Sequence, residues 1–92
     1  MIKENKLFPN EFLVVNSDFS LNYYRITESN VCLLNSFNEH VGRINDVTFF
    51  NTNQNPYQNC FCTASSDCSL KIWDFRSKDS AHTLKCNLII SS

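Results

Sequence analysis

The residues of this sequence that could hold a metal or attack a substrate are its cysteines and histidines. Cys60 and Cys62 are separated by one residue, and Cys68, His82 and Cys86 follow. Zinc sites normally begin with two cysteines separated by two to four residues, and this spacing is different. Alternate residues of a strand lie on the same face, so the first two thiols are expected to pack there. No metal site is predicted.

A cysteine nucleophile is not favoured by the same residues. Nothing around the five cysteines indicates a lowered thiol pKa, and a free thiol in an apolar run is normally a small buried hydrophobe. Asp67 is interpreted as a turn residue rather than a general base. We therefore predict no catalytic residue and no cofactor, and a small cysteine-dependent enzyme remains the alternative from another functional class. Because five is an odd number of cysteines, a reducing compartment, the cytoplasm or nucleus, is expected.

Composition limits the classes of partner. The 92 residues are 42% hydrophobic and 18% charged with a net charge of −1, which is typical of one small globular domain. This balance provides no field that would attract nucleic acid or an acidic membrane. No apolar run approaches the roughly 18 residues of a membrane-spanning helix. Gly42 is the only glycine, which argues against phosphate-binding loops.

The elements that must position any site repeat once along the chain. Ser17–Ile26 aligns without a gap on Ser66–Phe75, 49 positions later. Ser, Asp, Ser and Leu are identical, and an aromatic residue recurs at Tyr24 and Trp73. Each segment is a serine-aspartate turn followed by residues with high β-propensity, which predicts two β-hairpins.

The strands predicted from apolar and β-branched runs cover most of the chain, and no segment sustains a helical period. A polar loop with a proline is expected at Asn51–Asn59. The predicted strands are Phe12–Asn16, Leu21–Ile26, Val31–Phe37, Ile44–Phe50, Cys60–Ala64, Leu70–Phe75 and Ala81–Ile90.

The stretch from His40 to Arg76 resembles a WD40 repeat. A histidine is followed by an apolar strand, by a Ser-x-Asp turn and by the signature Trp73-Asp74. Glu39 stands where the family has a glycine. The earlier copy is degraded, with a tyrosine and an arginine in place of Trp-Asp. The positions that match the family's strands and turn are Ile44, Val47, Phe49, Thr63, Ser65 and Asp67.

The resemblance implies an all-β fold of antiparallel four-stranded β-propeller blades. Propellers need four or more blades, and this chain supplies about two, too few to close. The expected division is a degraded repeat at 1–38, a full repeat at 39–77, and an outer strand or the start of another blade at 78–92. Exposed blade faces and edges would result. A fragment of a longer protein is favoured over an oligomer that completes a ring and over faulty gene prediction.

The resemblance also implies a structural role for four side chains. In the family, the tryptophan binds a hydroxyl on the neighbouring strand, the hydroxyl meets the histidine, and the histidine meets the turn aspartate. By position these are Trp73, Thr63, His40 and Asp67, with Ser65 the second choice for the hydroxyl. The expected function is that of a non-catalytic scaffold binding other proteins through loops. The candidate loops are Glu39–Arg43, Asn51–Asn59 and Ser77–Ser80.

Arg76 has two interpretations. Trp73–Arg76 fits the Trp-Asp-x-Arg element that some WD40 proteins present to the adaptor of cullin–RING ubiquitin ligases, which would make the chain a substrate receptor. There the guanidinium would pair with a carboxylate across an interface. The alternative is a solvated charge at the end of a strand.

Overall fold

The computed structural model describes residues 1–54, 57–77 and 80–85, the last range as backbone only. The described chain is all-β, as predicted, and contains eight strands and no helix. Consequently, no helix among these residues is long and apolar enough to cross a membrane. The strands are β1 (Ile2–Glu4), β2 (Glu11–Val15), β3 (Leu21–Ile26), β4 (Val31–Phe37), β5 (Ile44–Phe49), β6 (Cys60–Ser65), β7 (Ser69–Asp74) and β8 (Ser80–Lys85).

The strands form two antiparallel sheets in which sequence neighbours are also spatial neighbours. The first sheet has the order β1-β2-β3-β4 and the second the order β5-β6-β7-β8. Neither sheet closes into a barrel. Two successive four-stranded meanders are consistent with part of a β-propeller.

Six of the predicted strands occur at their expected positions, with ends within one residue. The strand expected at Ala81–Ile90 is present as β8 up to Lys85, and residues 86–90 lie outside the described part of the chain. β1 was not predicted. Its three residues pair with β2 from Ile2 opposite Val14 to Glu4 opposite Phe12, and its charged residues gave no strand signal.

The sequence repeat is also a repeat of turn geometry. Phe19 and Cys68 occupy equivalent positions in the β2–β3 and β6–β7 turns, with φ angles of 71° and 67°. In each turn, the preceding aspartate, Asp18 or Asp67, accepts a hydrogen bond from the backbone N–H two residues ahead, at 3.1 and 3.0 Å. The aspartate side chain thus holds each turn, in which a phenylalanine or a cysteine takes the left-handed conformation that glycine usually adopts.

The two sheets share one aromatic core. The ring of Tyr23 in the first sheet lies 4.7 Å from that of Phe75, and the ring of Phe37 lies 5.0 Å from Trp73 and 5.5 Å from Phe61. All five residues are buried. Aromatic pairs at these separations stabilise a core beyond the area that they bury, so the sheets are held as one body.

Equivalent residues of the two repeats point in different directions relative to this core. Trp73 is buried between the sheets, whereas Tyr24 is half-buried on the outer face of the first sheet and stacks on Phe12 at 5.4 Å. The buried tyrosine is Tyr23. The aromatic residue that the repeat aligns with Trp73 is therefore not the one that fills the core.

Candidate functional site

The four residues that the sequence singles out come from three elements of the second sheet and its approach. Thr63 lies at the centre of β6, and Trp73 lies on the adjacent β7. Asp67 is in the turn between these strands, and His40 is in the segment that leads from β4 to β5. The antiparallel pairing of β6 with β7 places the hydroxyl and the indole on the same inner face.

The structure brings these side chains into one hydrogen-bonded chain, here called the histidine relay. The indole Nε1–H of Trp73 donates to Thr63 Oγ1 over 2.9 Å. Thr63 Oγ1 is 2.6 Å from His40 Nε2, and His40 Nδ1 is 2.9 Å from Asp67 Oδ2. Ser65, the second choice, is not part of the relay, since its hydroxyl donates to the Gly42 carbonyl.

The number of protons on each group fixes which atoms of the relay donate hydrogen bonds and which accept them. The Thr63 hydroxyl accepts from the indole, so its single proton is free to be donated to Nε2 of a neutral His40. The Nδ1–H of His40 then donates to the carboxylate of Asp67. Every polar atom of the relay has a partner, which removes the cost of burying these groups.

The carboxylate at the end of the relay is held from several sides. Asp67 also accepts from the backbone N–H of Val41 at 3.1 Å and from both the backbone and the hydroxyl of Ser69. Burial opposes its ionisation, but the hydrogen bonds from Ser69, His40 and Val41 outweigh burial and hold the pKa of Asp67 well below its usual range. Asp67 is therefore an ionised anchor for the histidine.

Gly42 permits the close approach that the relay needs. A Cβ at this position would lie 2.9 Å from the backbone nitrogen of Asp67 and 3.2 Å from its Cβ. The segment carrying His40 therefore packs directly against the turn carrying Asp67. This role of Gly42 was not predicted, although a glycine two residues after the histidine can indicate a close approach of two backbone segments.

The relay has the order of groups that hydrolases use, a hydroxyl, a histidine and a carboxylate, but it lacks access. Thr63 is 0% exposed and the side chain of His40 is also 0% exposed. The hydroxyl oxygen that would attack a substrate already accepts the indole proton. This geometry ties the β4–β5 segment to β6, β7 and their turn, and leaves no position for a reacting atom.

A second buried cluster, which the sequence analysis missed, centres on Glu11. This residue is 4% exposed and accepts the Tyr23 hydroxyl at 2.6 Å. Arg25 on the neighbouring strand donates to it at 2.9 Å, and Arg76 of the second repeat donates at 3.1 Å. Asn5 donates in turn to the Tyr23 oxygen. One carboxylate thus receives three donors and links the two sheets.

Glu11 and Tyr23 affect one another's pKa. Burial opposes ionisation of Glu11, but the hydrogen bonds from Tyr23, Arg25 and Arg76 prevail and lower its pKa. Burial and the adjacent Glu11 carboxylate raise the pKa of Tyr23 far above its usual range. Glu11 is therefore an ionised acceptor, and Tyr23 a permanent donor, at neutral pH.

Arg76 is engaged within the molecule. Its guanidinium pairs with Glu11 and lies 4.9 Å from the ring centre of Phe8 and 5.0 Å from that of Phe75. Its side chain is 32% exposed. It is thus not a simple solvated strand-end charge. A ligase adaptor would have to compete with Glu11 for the guanidinium.

The four cysteines in the described part of the chain divide into two groups. Burial raises the pKa of the Cys60 and Cys62 thiols, which opposes formation of a reactive thiolate. Cys32 and Cys68 are exposed, so the expectation that all the cysteines are buried is wrong for these two. Within the described residues, no group of histidine, cysteine, aspartate or glutamate side chains could hold a metal ion.

The surface above the relay contains an open groove of about 420 Å³ between the two sheets. Arg43, from the segment next to His40, is exposed and lines this groove, whereas the exposed Val41 lines a separate depression that includes Asp67. Of the other loops considered for partners, residues 51–54 and 57–59 are mostly exposed. Within Ser77–Ser80, residues 78 and 79 lie outside the described part of the chain. The groove is lined by Met1, Val15, Asn16, Ser17, Phe19, Arg43 and Ile44.

Comparison with models of known protein families gives no match, and a search of curated proteins finds no significant relative. Any family assignment thus depends on the residues and geometry of this chain.

Proposed function

We propose that this chain forms two adjacent blades of a WD40-type propeller and acts as a non-catalytic scaffold that binds other proteins. The observation that carries the proposal is the histidine relay. It joins Trp73, Thr63, His40 and Asp67 in the order that the family resemblance implies. The repeated turn and the two four-stranded meanders support the same assignment.

The burial of the relay supports a structural rather than a catalytic role. Its hydroxyl and imidazole are inaccessible, and their hydrogen-bonding capacity is used inside the blade. The thiols of Cys60 and Cys62 have raised pKa values. Such groups are poor nucleophiles at neutral pH.

Partner binding is assigned to the end of the sheets that carries the relay. There the His40–Asp67 contact fixes the segment from which Val41 and Arg43 project, and Arg43 lines the groove between the sheets. Val41 is 84% exposed, which is unusual for a valine with no packing task. A rigid loop that presents an apolar and a cationic side chain is suited to binding a protein surface.

The proposal is tested by affinity capture with matched surface variants. The tagged chain is used to capture proteins from a reducing cell extract, in parallel with Val41→Asp/Arg43→Glu and with Lys6→Glu. Lys6 is exposed in the β1–β2 connection at the opposite end of the sheets. We expect discrete partners that the double variant loses by about tenfold or more and the control retains. Equal capture by all three proteins would contradict the assigned surface.

The enzyme alternative is tested separately by labelling. The native chain is treated with a fluorophosphonate probe and with iodoacetamide, and the modified residues are located by mass spectrometry. We expect no adduct at Thr63 and slow alkylation of Cys60 compared with the exposed Cys32. A fast, specific adduct at Thr63 or Cys60 in folded protein would overturn the non-catalytic assignment.

A further inference from the structure

In the contact between the two sheets, the two buried faces are not equivalent under the sequence repeat. The first sheet contributes the face that carries Leu13, Leu21 and Tyr23, and all three are buried. The residues 49 positions later are Cys62, Leu70 and Ile72, which lie on the outer face of the second sheet. The packing is thus head-to-tail, because the face that the first sheet buries in the contact is equivalent to the face that the second sheet directs outward.

The same relation holds for the other side of the contact. The second sheet buries a face that includes Val47, Phe61, Thr63, Trp73 and Phe75. The equivalent residues of the first sheet follow from the strand registers and the repeat. They form what is here called the leading face: Ile2, Phe12, Val14, Tyr24 and Ile26.

Within the described part of the chain, the leading face is apolar and nothing packs over it. Tyr24 and Ile26 pair with Leu33 and Val31 of β4, which extends the face to the edge of the sheet. Ile2, Ile26, Val31 and Leu33 are between 49% and 66% exposed. Val47 and Phe75, the residues of the second sheet equivalent to Ile2 and Ile26, are each only 3% exposed. A soluble chain rarely leaves such a contiguous surface unpartnered.

The outer face of the second sheet, here called the trailing face, is also available. Leu70 is 36% exposed, and Cys62 and Ile72 are half-buried. Thr48, opposite Cys62 in the register, is exposed on the same face. These positions are the repeats of the residues that already pack, in the first sheet, against the second.

We propose that the leading face of one chain is covered by the trailing face of a second copy of this chain. The two sheets of one molecule already form one interface of this kind. The free leading face and the free trailing face correspond to the two sides of a second such interface. Association through unlike faces is heterologous: it closes a ring where the rotation permits and otherwise continues as a filament. This inference goes beyond the proposed partner binding and uses none of the loop residues assigned to it.

The test uses two variants of the full chain, each blocked on one face. Ile26→Lys/Leu33→Lys places charges on the leading face, and Thr48→Lys/Leu70→Lys places charges on the trailing face. All four positions are exposed, so folding is expected to survive. Circular dichroism and the emission of the buried Trp73 verify that it does. Lys6→Glu changes a charge in the exposed β1–β2 connection, outside both faces, and is the control.

Sedimentation velocity over a range of micromolar concentrations gives the readout. We expect the unmodified chain and the control to associate, and each blocked variant alone to associate more than about tenfold more weakly. Mixing the two blocked variants restores one intact interface, and the mixture should form a one-to-one heterodimer that grows no further.

Three results would overturn the proposal. The unmodified folded chain could remain monomeric at every concentration, or the two blocked variants could fail to combine. The trailing-face variant could also dimerise as well as the unmodified chain, which would indicate like-to-like pairing of leading faces. Capture of a partner by the loop surface is measured independently, so either proposal can fail without the other.

Discussion

At the scale of single residues, the most constrained atom is the hydroxyl oxygen of Thr63. It accepts the proton of Trp73 and contacts His40, all within a fully buried environment. Replacing this oxygen with carbon leaves an indole donor and an imidazole nitrogen without partners. A buried unsatisfied polar group costs about 1–3 kcal/mol. The relay should therefore be more sensitive to losing one oxygen than to losing one methyl group.

Thr63→Val and Thr63→Ser separate these two losses. Valine keeps the shape of threonine without the oxygen, and serine keeps the oxygen without the methyl group. We expect valine to lower the free energy of unfolding by about 2–4 kcal/mol and serine by about 1 kcal/mol. Urea unfolding followed by Trp73 emission measures both values. Equal losses in the two variants would show that the hydroxyl contributes only through packing.

The lowered pKa of Asp67 predicts an acid dependence of stability. A carboxylate whose pKa is lower in the folded than in the unfolded chain stabilises the fold above its ordinary pKa of 3.8, and this contribution is lost as the pH falls below that value. Asp67→Asn should be less stable at pH 7, and its stability should fall less steeply below about pH 4. Glu11 also has a lowered pKa, so some acid dependence remains.

Unfolding curves at several pH values provide the measurement. Asp46→Asn controls for the loss of one negative charge, because Asp46 is 66% exposed and lies 4.0 Å from Lys3. Parallel acid profiles for wild type and Asp67→Asn would contradict the assignment of Asp67 as an ionised anchor.

At the scale of elements, strand positions were predictable because β-propensity and turn residues are local signals. In both hairpins the strands are connected by a Ser-Asp turn whose geometry is fixed by the aspartate side chain. β1 was not predicted, because a three-residue strand that contains charged residues has no recognisable local pattern. Its formation depends on pairing with β2. The sequence also did not predict that Tyr23 rather than Tyr24 is buried. Both faces of this strand carry apolar residues, so the pattern does not show which face packs against the core.

The β6–β7 turn contains local strain that a substitution can relieve. Cys68 has a φ of 67°, a conformation that costs a residue with a Cβ about 1 kcal/mol relative to glycine. Its side chain is exposed, so little packing is lost on removal. Cys68→Gly should raise the free energy of unfolding by about 0.5–1 kcal/mol, and Cys68→Ala, which keeps the Cβ, should not. Thermal unfolding under reducing conditions tests this. A larger gain with alanine would locate the effect in the thiol.

At the scale of the whole molecule, the sheets are joined by an aromatic core and by one buried carboxylate. The four relay residues were identified by sequence because they belong to one contiguous repeat with a recognisable spacing. The cluster around Glu11 was not, since Glu11 and Arg76 are 65 positions apart and belong to different sheets. Only the packing of one repeat on the other brings them together. The same packing decides which faces remain uncovered.

The contact between Glu11 and Arg76 therefore predicts that the two sheets are energetically coupled. Glu11→Gln removes the charge that two guanidinium groups share, and we expect a loss of about 1–3 kcal/mol in the free energy of unfolding. Arg76→Ala should cost less, because this side chain is partly exposed. Glu28→Gln, in the exposed β3–β4 turn, is the matched control and should change stability by less than about 0.5 kcal/mol.

A double-mutant cycle with Glu11→Gln and Arg76→Ala isolates the contact between the sheets from the contact of Glu11 with Arg25 in its own sheet. If the ion pair couples the sheets, the double variant should lose less stability than the sum of the single variants, by about 0.5 kcal/mol or more. Strict additivity would mean that the contact between Glu11 and Arg76 does not couple the two sheets. Arg76 would then be available to an external carboxylate at little cost to the fold.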